Sequence, residues 1–204
     1  VRLPESLRKI GDRAFKNCSA LVHVDIPSGV NEIGAGAFHG SSIETVTIPE
    51  GVVDLPEFIF YKCKSLKSVK LPSSLKTIGD VAFYECSALT TINDDALEGV
   101  TEIGSHAFQR CKSLTTFKLP PLLKTIEERT FKECESLSKV DLPPSLEKIA
   151  NDAFSGCSHP DLIIDLPETV MNFGRVALKG CRIRLPTSLS MLTSGGNVEG
   201  LLHD

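Results

Sequence analysis

The sequence predicts an α/β solenoid, a single elongated coil of short parallel strands closed by brief turns, on three observations. A Phe followed three residues later by a Cys recurs at Phe15/Cys18, Phe60/Cys63, Phe83/Cys86, Phe108/Cys111, Phe131/Cys134 and Phe154/Cys157, with degenerate copies at Phe38/Ser41 and Leu178/Cys181. The Phe-to-Phe step is mostly 23 residues and stays between 22 and 25, a period used by stacked repeats. The copies align on one consensus, Leu-Pro-x-x-Leu-x-x-Ile-Gly-x-x-Ala-Phe-x-x-Cys-x-x-Leu-x-x-Val-x, whose apolar columns are nearly unbroken. No single copy can bury its own Phe, Ile and Leu, so neighbours must stack these columns into one continuous core.

The first element of each copy is a strand. In the segment from Leu66 to Pro72, Val69 and Leu71 alternate with Ser68 and Lys70, the period of a half-buried strand. Proline cannot donate to a ladder, so each strand is expected to stop at Pro27, Pro49, Pro72, Pro120, Pro143, Pro167 and Pro186. The second element, Leu-x-x-Ile, is too short for a helix and reads as another brief extended segment. Its two columns run Leu7, Val30, Val52, Leu75, Val100, Leu123, Leu146, Val170, Leu189 and Ile10, Ile33, Leu55, Ile78, Ile103, Ile126, Ile149, Phe173, Leu192. The Gly that follows, at Gly11, Gly34, Gly79, Gly104 and Gly174, gives way to Pro56, Glu127 and Ala150 in other copies, so a positive φ is not required there. The third element, Asp-x-Ala-Phe-x-x-Cys, reads as a short helix or 3₁₀ turn capped by residues such as Asp12, Asp80 or Asp152.

Four copies depart from the pattern. The one running from Asn93 to Val100 is two residues too long and lacks Leu-Pro, so a bulge is expected, either a tolerated insertion or an acidic loop that contacts a partner. The copy from Cys157 to Leu162 carries one extra residue, and that at Ser41 is one short. Cys181 and Pro186 are separated by four residues where a regular copy has eight, and Ser194, Gly195, Gly196 and Asn197 follow soon after. The organisation expected is therefore a solenoid over 1–193, about eight repeats of 23 residues, and a Gly-rich linker or tail over 194–204.

With the columns laid out, the run Leu71-Pro72-Ser73-Ser74-Leu75-Lys76-Thr77-Ile78-Gly79-Asp80-Val81-Ala82-Phe83-Tyr84-Glu85-Cys86-Ser87-Ala88-Leu89 and its sisters resemble a leucine-rich repeat protein of the BspA-like kind, found in bacterial surface antigens and some protists. The resemblance implies a right-handed leucine-rich repeat solenoid with a parallel β-sheet on one face and short strands and helical or 3₁₀ turns on the other. It also implies a binding surface, often displayed outside the cell. Ordinary leucine-rich repeats close the strand with an Asn; here Pro follows instead, so no asparagine ladder is expected.

Composition limits the function classes. A net charge of −4 gives no electrostatic reason to bind nucleic acid or anionic membrane, and no stretch approaches the roughly 20 apolar residues that cross a bilayer. Val1 aligns with mid-repeat Val24 and Val69 and is not a Met, so the chain is expected to be a piece of something longer, with open ends that pair or continue into further repeats. All seven Cys fall in one apolar column, which reads as buried free thiols rather than disulfides. Their spacing is not that of a zinc site. His23, His39, His106, His159 and His203 occupy unrelated repeat positions. No nucleophile elbow, phosphate loop, acid/base pair or nucleotide fingerprint occurs, so no enzyme activity, cofactor or metal is expected.

The residues flanking the inward strand position point outward on the same sheet. They are His23/Asp25, Thr45/Thr47, Ser68/Lys70, Thr91/Asn93, Thr116/Lys118, Lys139/Asp141, Ile163/Asp165 and Arg182/Arg184, and together they form the candidate binding face. Eight strands about 4.8 Å apart would make a sheet on the order of 40 Å long, enough for a protein ligand. The function expected is a non-enzymatic protein-interaction module of a surface or secreted protein, engaging a protein or glycan-bearing macromolecule in adhesion or host contact. The alternative is an intracellular scaffold component of a larger assembly, with its thiols reduced.

Overall fold

The computed structural model describes residues 1–186 and is a parallel β-solenoid of about eight turns. In chain order its strands are β1 (Lys9–Ile10), β2 (Glu32–Ile33), β3 (Thr45–Thr47), β4 (Asp54–Leu55), β5 (Ser68–Lys70), β6 (Thr77–Ile78), β7 (Thr91–Ile92), β8 (Glu102–Ile103), β9 (Thr116–Lys118), β10 (Thr125–Ile126), β11 (Lys139–Asp141), β12 (Lys148–Ile149), β13 (Ile163–Asp165), β14 (Asn172–Phe173) and β15 (Arg182–Arg184). Both extended elements read from the repeat are present, one strand of each per regular turn. The expected Leu189 and Leu192 and the tail over 194–204 lie outside the described residues.

Each strand of the first kind stops two residues before its Pro. The last residue before Pro still bonds to the next turn, as where Ile48 N–H donates to the Lys70 carbonyl at 2.8 Å. The Pro then begins a tight turn, its carbonyl accepting from the apolar residue three positions on, as Pro27 does from Val30 at 3.0 Å. Val46, Val69, Phe117, Val140 and Ile164 face inward and are buried, while their flanking residues face out, as period-2 patterning requires.

The Phe column is the spine of the core. Phe15, Phe38, Phe60, Phe83, Phe108, Phe131 and Phe154 stack ring on ring, with centroids 5.1–5.5 Å apart and interplanar angles of 5–24°. Phe117 comes from the strand side and leans on both Phe108 and Phe131 at 4.9 Å. The Cys column packs beside the rings. Six thiols donate to the Phe carbonyl of the preceding turn, from 2.9 Å for Cys63 to Phe38 to 3.4 Å for Cys181 to Phe154. All seven cysteines are free and all but Cys18 are buried, as their single column implied.

The turn side corrects the expected helix. Among the described residues there is no α-helix and one 3₁₀ helix, Asp94–Leu97. Each Asp-x-Ala-Phe-x-x-Cys segment instead has two left-handed residues four positions apart, such as Val81 (φ 56°) and Glu85 (φ 59°). Alternate amides then point in different directions. Ala37, His39 and Ser41 donate to residues three back in their own turn, whereas Gly36, Phe38 and Gly40 donate to the Glu57, Ile59 and Tyr61 carbonyls of the next. Helical bonding would use every amide within one turn; this arrangement spends alternate amides on ties from turn to turn.

The expected helix cap is corrected with it. Asp12 Oδ1 accepts from Ala35 N–H at 2.9 Å and Asp80 Oδ1 from Ser105 N–H at 2.7 Å, so each closes a bond to the following turn. Asn151 does the same for Arg175 N–H at 2.7 Å, and Asp152 sits one place later at a left-handed position. The repeat glycines have negative φ, as their replacements suggested. Gly79 is needed for close approach: a Cβ there would stand 2.7 Å from Glu57 N.

The irregular copies interrupt the strand face, which is not the unbroken eight-strand sheet expected from the repeat. Its ladders are β3-β5-β7, β9-β11 and β13-β15, preceded by single bridges at Arg2↔Asp25 and His23↔Thr45. The first gap follows the insertion at Asn93, the second the extra residue after Cys157. The companion face breaks similarly into β1-β2, β4-β6-β8 and β10-β12-β14. At the insertion Leu97 takes the part of the missing Pro, its carbonyl accepting from Val100 N–H at 3.0 Å.

Candidate interaction surfaces

The strand face carries the residues singled out from the sequence, in parallel register. Thr45, Ser68 and Thr91 are direct neighbours, as are Thr47 and Lys70, Thr116 and Lys139, Lys118 and Asp141, and Asp165 and Arg184. All are exposed, as are His23, Asp25 and Arg182, while Ile163 is half-buried.

Asn93 is the correction. Its amide nitrogen donates to the Leu71 carbonyl at 3.2 Å and its side-chain oxygen accepts from Leu71 N–H at 2.8 Å. In regular turns the next strand's backbone carbonyl accepts that N–H, as Asp141 does from Leu119 at 3.0 Å. Asn93 therefore repairs the ladder with its side chain, half-buried, and is not a free ligand-facing group. No sequence signal short of the missing Leu-Pro marked it.

Charge is unevenly spent across this face. His23 Nε2 lies 2.7 Å from Asp25, Lys139 3.3 Å from Asp141 and Arg184 2.8 Å from Asp165. Lys118 reaches back to Glu98, supplied by the insertion and not by a strand of this face, at 3.0 Å. Arg182 donates to the Pro160 carbonyl at 2.9 Å. On β3, β5 and β7 the outward residues are hydroxyls together with Lys70, which has no carboxylate within ion-pair range among the described residues.

The turn side carries features that the Phe and Cys columns hid because they lie between them. His39, Tyr61 and Tyr84 form an aromatic row, the two tyrosines stacked at 5.0 Å, with Phe58 edge-on to Tyr61. Ion pairs cross from turn to turn: Lys64 to Glu85 at 3.3 Å, Arg110 to Glu133 at 2.8 Å, Lys112 to Glu135 at 2.8 Å and Lys132 to Asp152 at 2.8 Å. Burial disfavours the Asp152 carboxylate, but the Lys132 hydrogen bond and the charges of Lys132 and Arg129 outweigh it and hold its pKa below the ordinary range. Burial pushes the Cys63 thiol up to about 11 and Cys181 up to about 12, so these sulfurs are not poised as nucleophiles. No group of three or more His, Cys, Asp or Glu among the described residues could hold a metal ion.

Short parallel strands, a turn side without α-helices among the described residues and one stacked Phe spine repeating every 23 residues or so define a leucine-rich repeat solenoid. Within that class the chain belongs to the BspA type leucine rich repeat region family, whose model matches residues 1–97 and 94–196 in 6 copies. Among solved structures it is similar to a leucine rich cell surface protein from Faecalibacterium prausnitzii A2-165, with 33% identity and a TM-score of 0.65 over 90% of this chain and 46% of that one. It is also similar to the T. pallidum leucine rich repeat protein, with 30% identity and a TM-score of 0.64 over 95% of this chain and 81% of that one. The chain thus spans less than half the length of the first of these. No curated protein gives a significant match.

Proposed function

We propose that this chain is a non-enzymatic protein-interaction module of a surface or secreted protein, binding a macromolecular ligand through the exposed face of the parallel sheet. The observation that carries the reading is the patch on β3, β5 and β7. Thr45, Thr47, Ser68, Lys70 and Thr91 present, on one parallel ladder, hydroxyls and an ammonium with no carboxylate in ion-pair range among the described residues, groups that need little desolvation or rearrangement before meeting a partner. A cell-surface setting is supported by the likeness to the F. prausnitzii leucine rich cell surface protein. Adhesion or host contact is the corresponding role.

The test replaces Ser68 and Lys70 together by Glu and measures retention of the protein on immobilised extracellular-matrix proteins and on cultured cells. Retention is expected to fall at least about tenfold, while urea unfolding shifts by no more than roughly 0.5 kcal/mol because both side chains are exposed. Undiminished retention by the double variant would overturn the assignment of this face.

A further inference from the structure

Three consecutive turns build a notch on the turn side, away from the strand face. The first contributes Glu128, Arg129 and Lys132, the second Asn151, Asp152 and Ser155, and the third Arg175, Val176 and Lys179, around a space of about 560 Å³. Arg129, Lys132 and Arg175 meet the carboxylates of Glu128 and Asp152 there, in a chain whose net charge is −4. The local sign is therefore opposite to that of the molecule, and a concave wall concentrates it.

The two carboxylates act as struts. Asp152 accepts from Lys132 Nζ at 2.8 Å and lies 3.6 Å from Arg129 Nε, while Glu128 lies 3.4 Å from the other end of the same guanidinium. His106 Nε2 is 3.4 Å from Arg129 Nη1. Arg129 is thus fixed from several sides, yet its Nε–H, shielded from solvent, has no acceptor at hydrogen-bonding distance. The Asp152 carboxylate, 3.6 Å away, is its ionic partner. Arg175 lines the same notch and is exposed, with no carboxylate in ion-pair range among the described residues.

We propose that the notch of Arg129, Lys132 and Arg175 is a binding site for a tetrahedral oxyanion, a phosphate or sulfate group, either free or as an ester on a glycan. Guanidinium forks from two turns and an ammonium between them can address separate oxygens, which a point charge alone could not orient. Ser155 adds a hydroxyl on the same wall. The site stands apart from the sheet-face reading, since it uses different residues on a different side of the coil.

The experiment titrates the ¹⁵N-labelled 204-residue chain with inorganic phosphate, inorganic sulfate and a sulfated oligosaccharide, following the backbone amides and the Arg Nε–H signals. Saturable shifts are expected at Arg129 Nε–H and the amides around Asn151 and Val176. Arg175→Glu should weaken the apparent Kd at least about tenfold and Arg175→Gln by less, whereas Lys70→Glu on the strand face should leave it unchanged. Saturation by the inorganic ions assigns the free anion; saturation by the oligosaccharide alone assigns the ester group, and either result supports the site. No saturable shift with any of the three, or equal weakening by Lys70→Glu, would overturn it.

Discussion

Phe83 lies fully buried between Phe60 and Phe108, with ring centroids 5.4 and 5.1 Å away. Both neighbours are themselves pinned by further rings, so the wall of a cavity left by truncation cannot collapse. Phe83→Ala should therefore cost about 3–5 kcal/mol, measured by urea denaturation. A change below roughly 1 kcal/mol would mean that the column does not carry the core. The Phe and Cys positions were legible in the sequence because one side chain in one environment recurs. A polar role for Cys was not legible: an Ala would also fit a small buried slot, but the thiol donates to the Phe carbonyl of the turn before it. The left-handed residues were hidden as well. Arg13, Phe58, Val81, His106, Arg129 and Val176 share that conformation without sharing any chemistry, so inter-turn bonding, not local preference, must hold it.

At the level of the element, the irregular copy shows how a ladder survives an insertion. The two extra residues are absorbed by the 3₁₀ helix Asp94–Leu97, and Asn93 supplies the donor and the acceptor that the displaced backbone would have given Leu71. Asn93→Leu removes both bonds and leaves two part-buried backbone groups unpaired, a loss of roughly 1–3 kcal/mol. Hydrogen exchange at Leu71 N–H should accelerate in that variant, with Val69 and Leu75 little changed; an unaltered Leu71 rate would show that the Asn93 bonds are dispensable. The strands were legible from alternation and their ends from Pro. The turn segment was misread as helical because Ala-Phe-x-x-Cys places apolar residues at a spacing shared by helices and by paired tight turns.

For the whole molecule, stability should form a plateau in pH. Burial, followed by neighbouring cations, lowers the pKa of His39 and His106 from the ordinary imidazole value. The unfolded chain then binds more protons as pH drops, so stability is full above about 6.5 and is lost as pH falls through the folded values. Burial raises the Cys63, Cys86, Cys111 and Cys181 thiols. Their contribution is full below about 8.5 and is lost as pH rises towards the folded values, about 11 for Cys63. Urea midpoints are expected to be flat between those limits and to fall on both sides. His39→Gln with His106→Gln should flatten the acid limb, and absence of the alkaline limb would place the thiols in contact with water.

The sequence by itself determined the coil, its period, its buried columns and the residues on the outward face of each strand. These follow from side-chain periodicity, which any stacked copy must obey to bury its apolar groups. Only the tertiary structure decided where the ladders break, that Asn93 serves the backbone, that the turns are left-handed pairs and that Arg129, Lys132 and Arg175 line one notch. Each of these depends on contacts between residues about 20 or more positions apart, fixed by how one turn lies on the next. A repeat pattern records what every copy shares; charge and hydrogen-bond partners across copies depend on what each copy does differently.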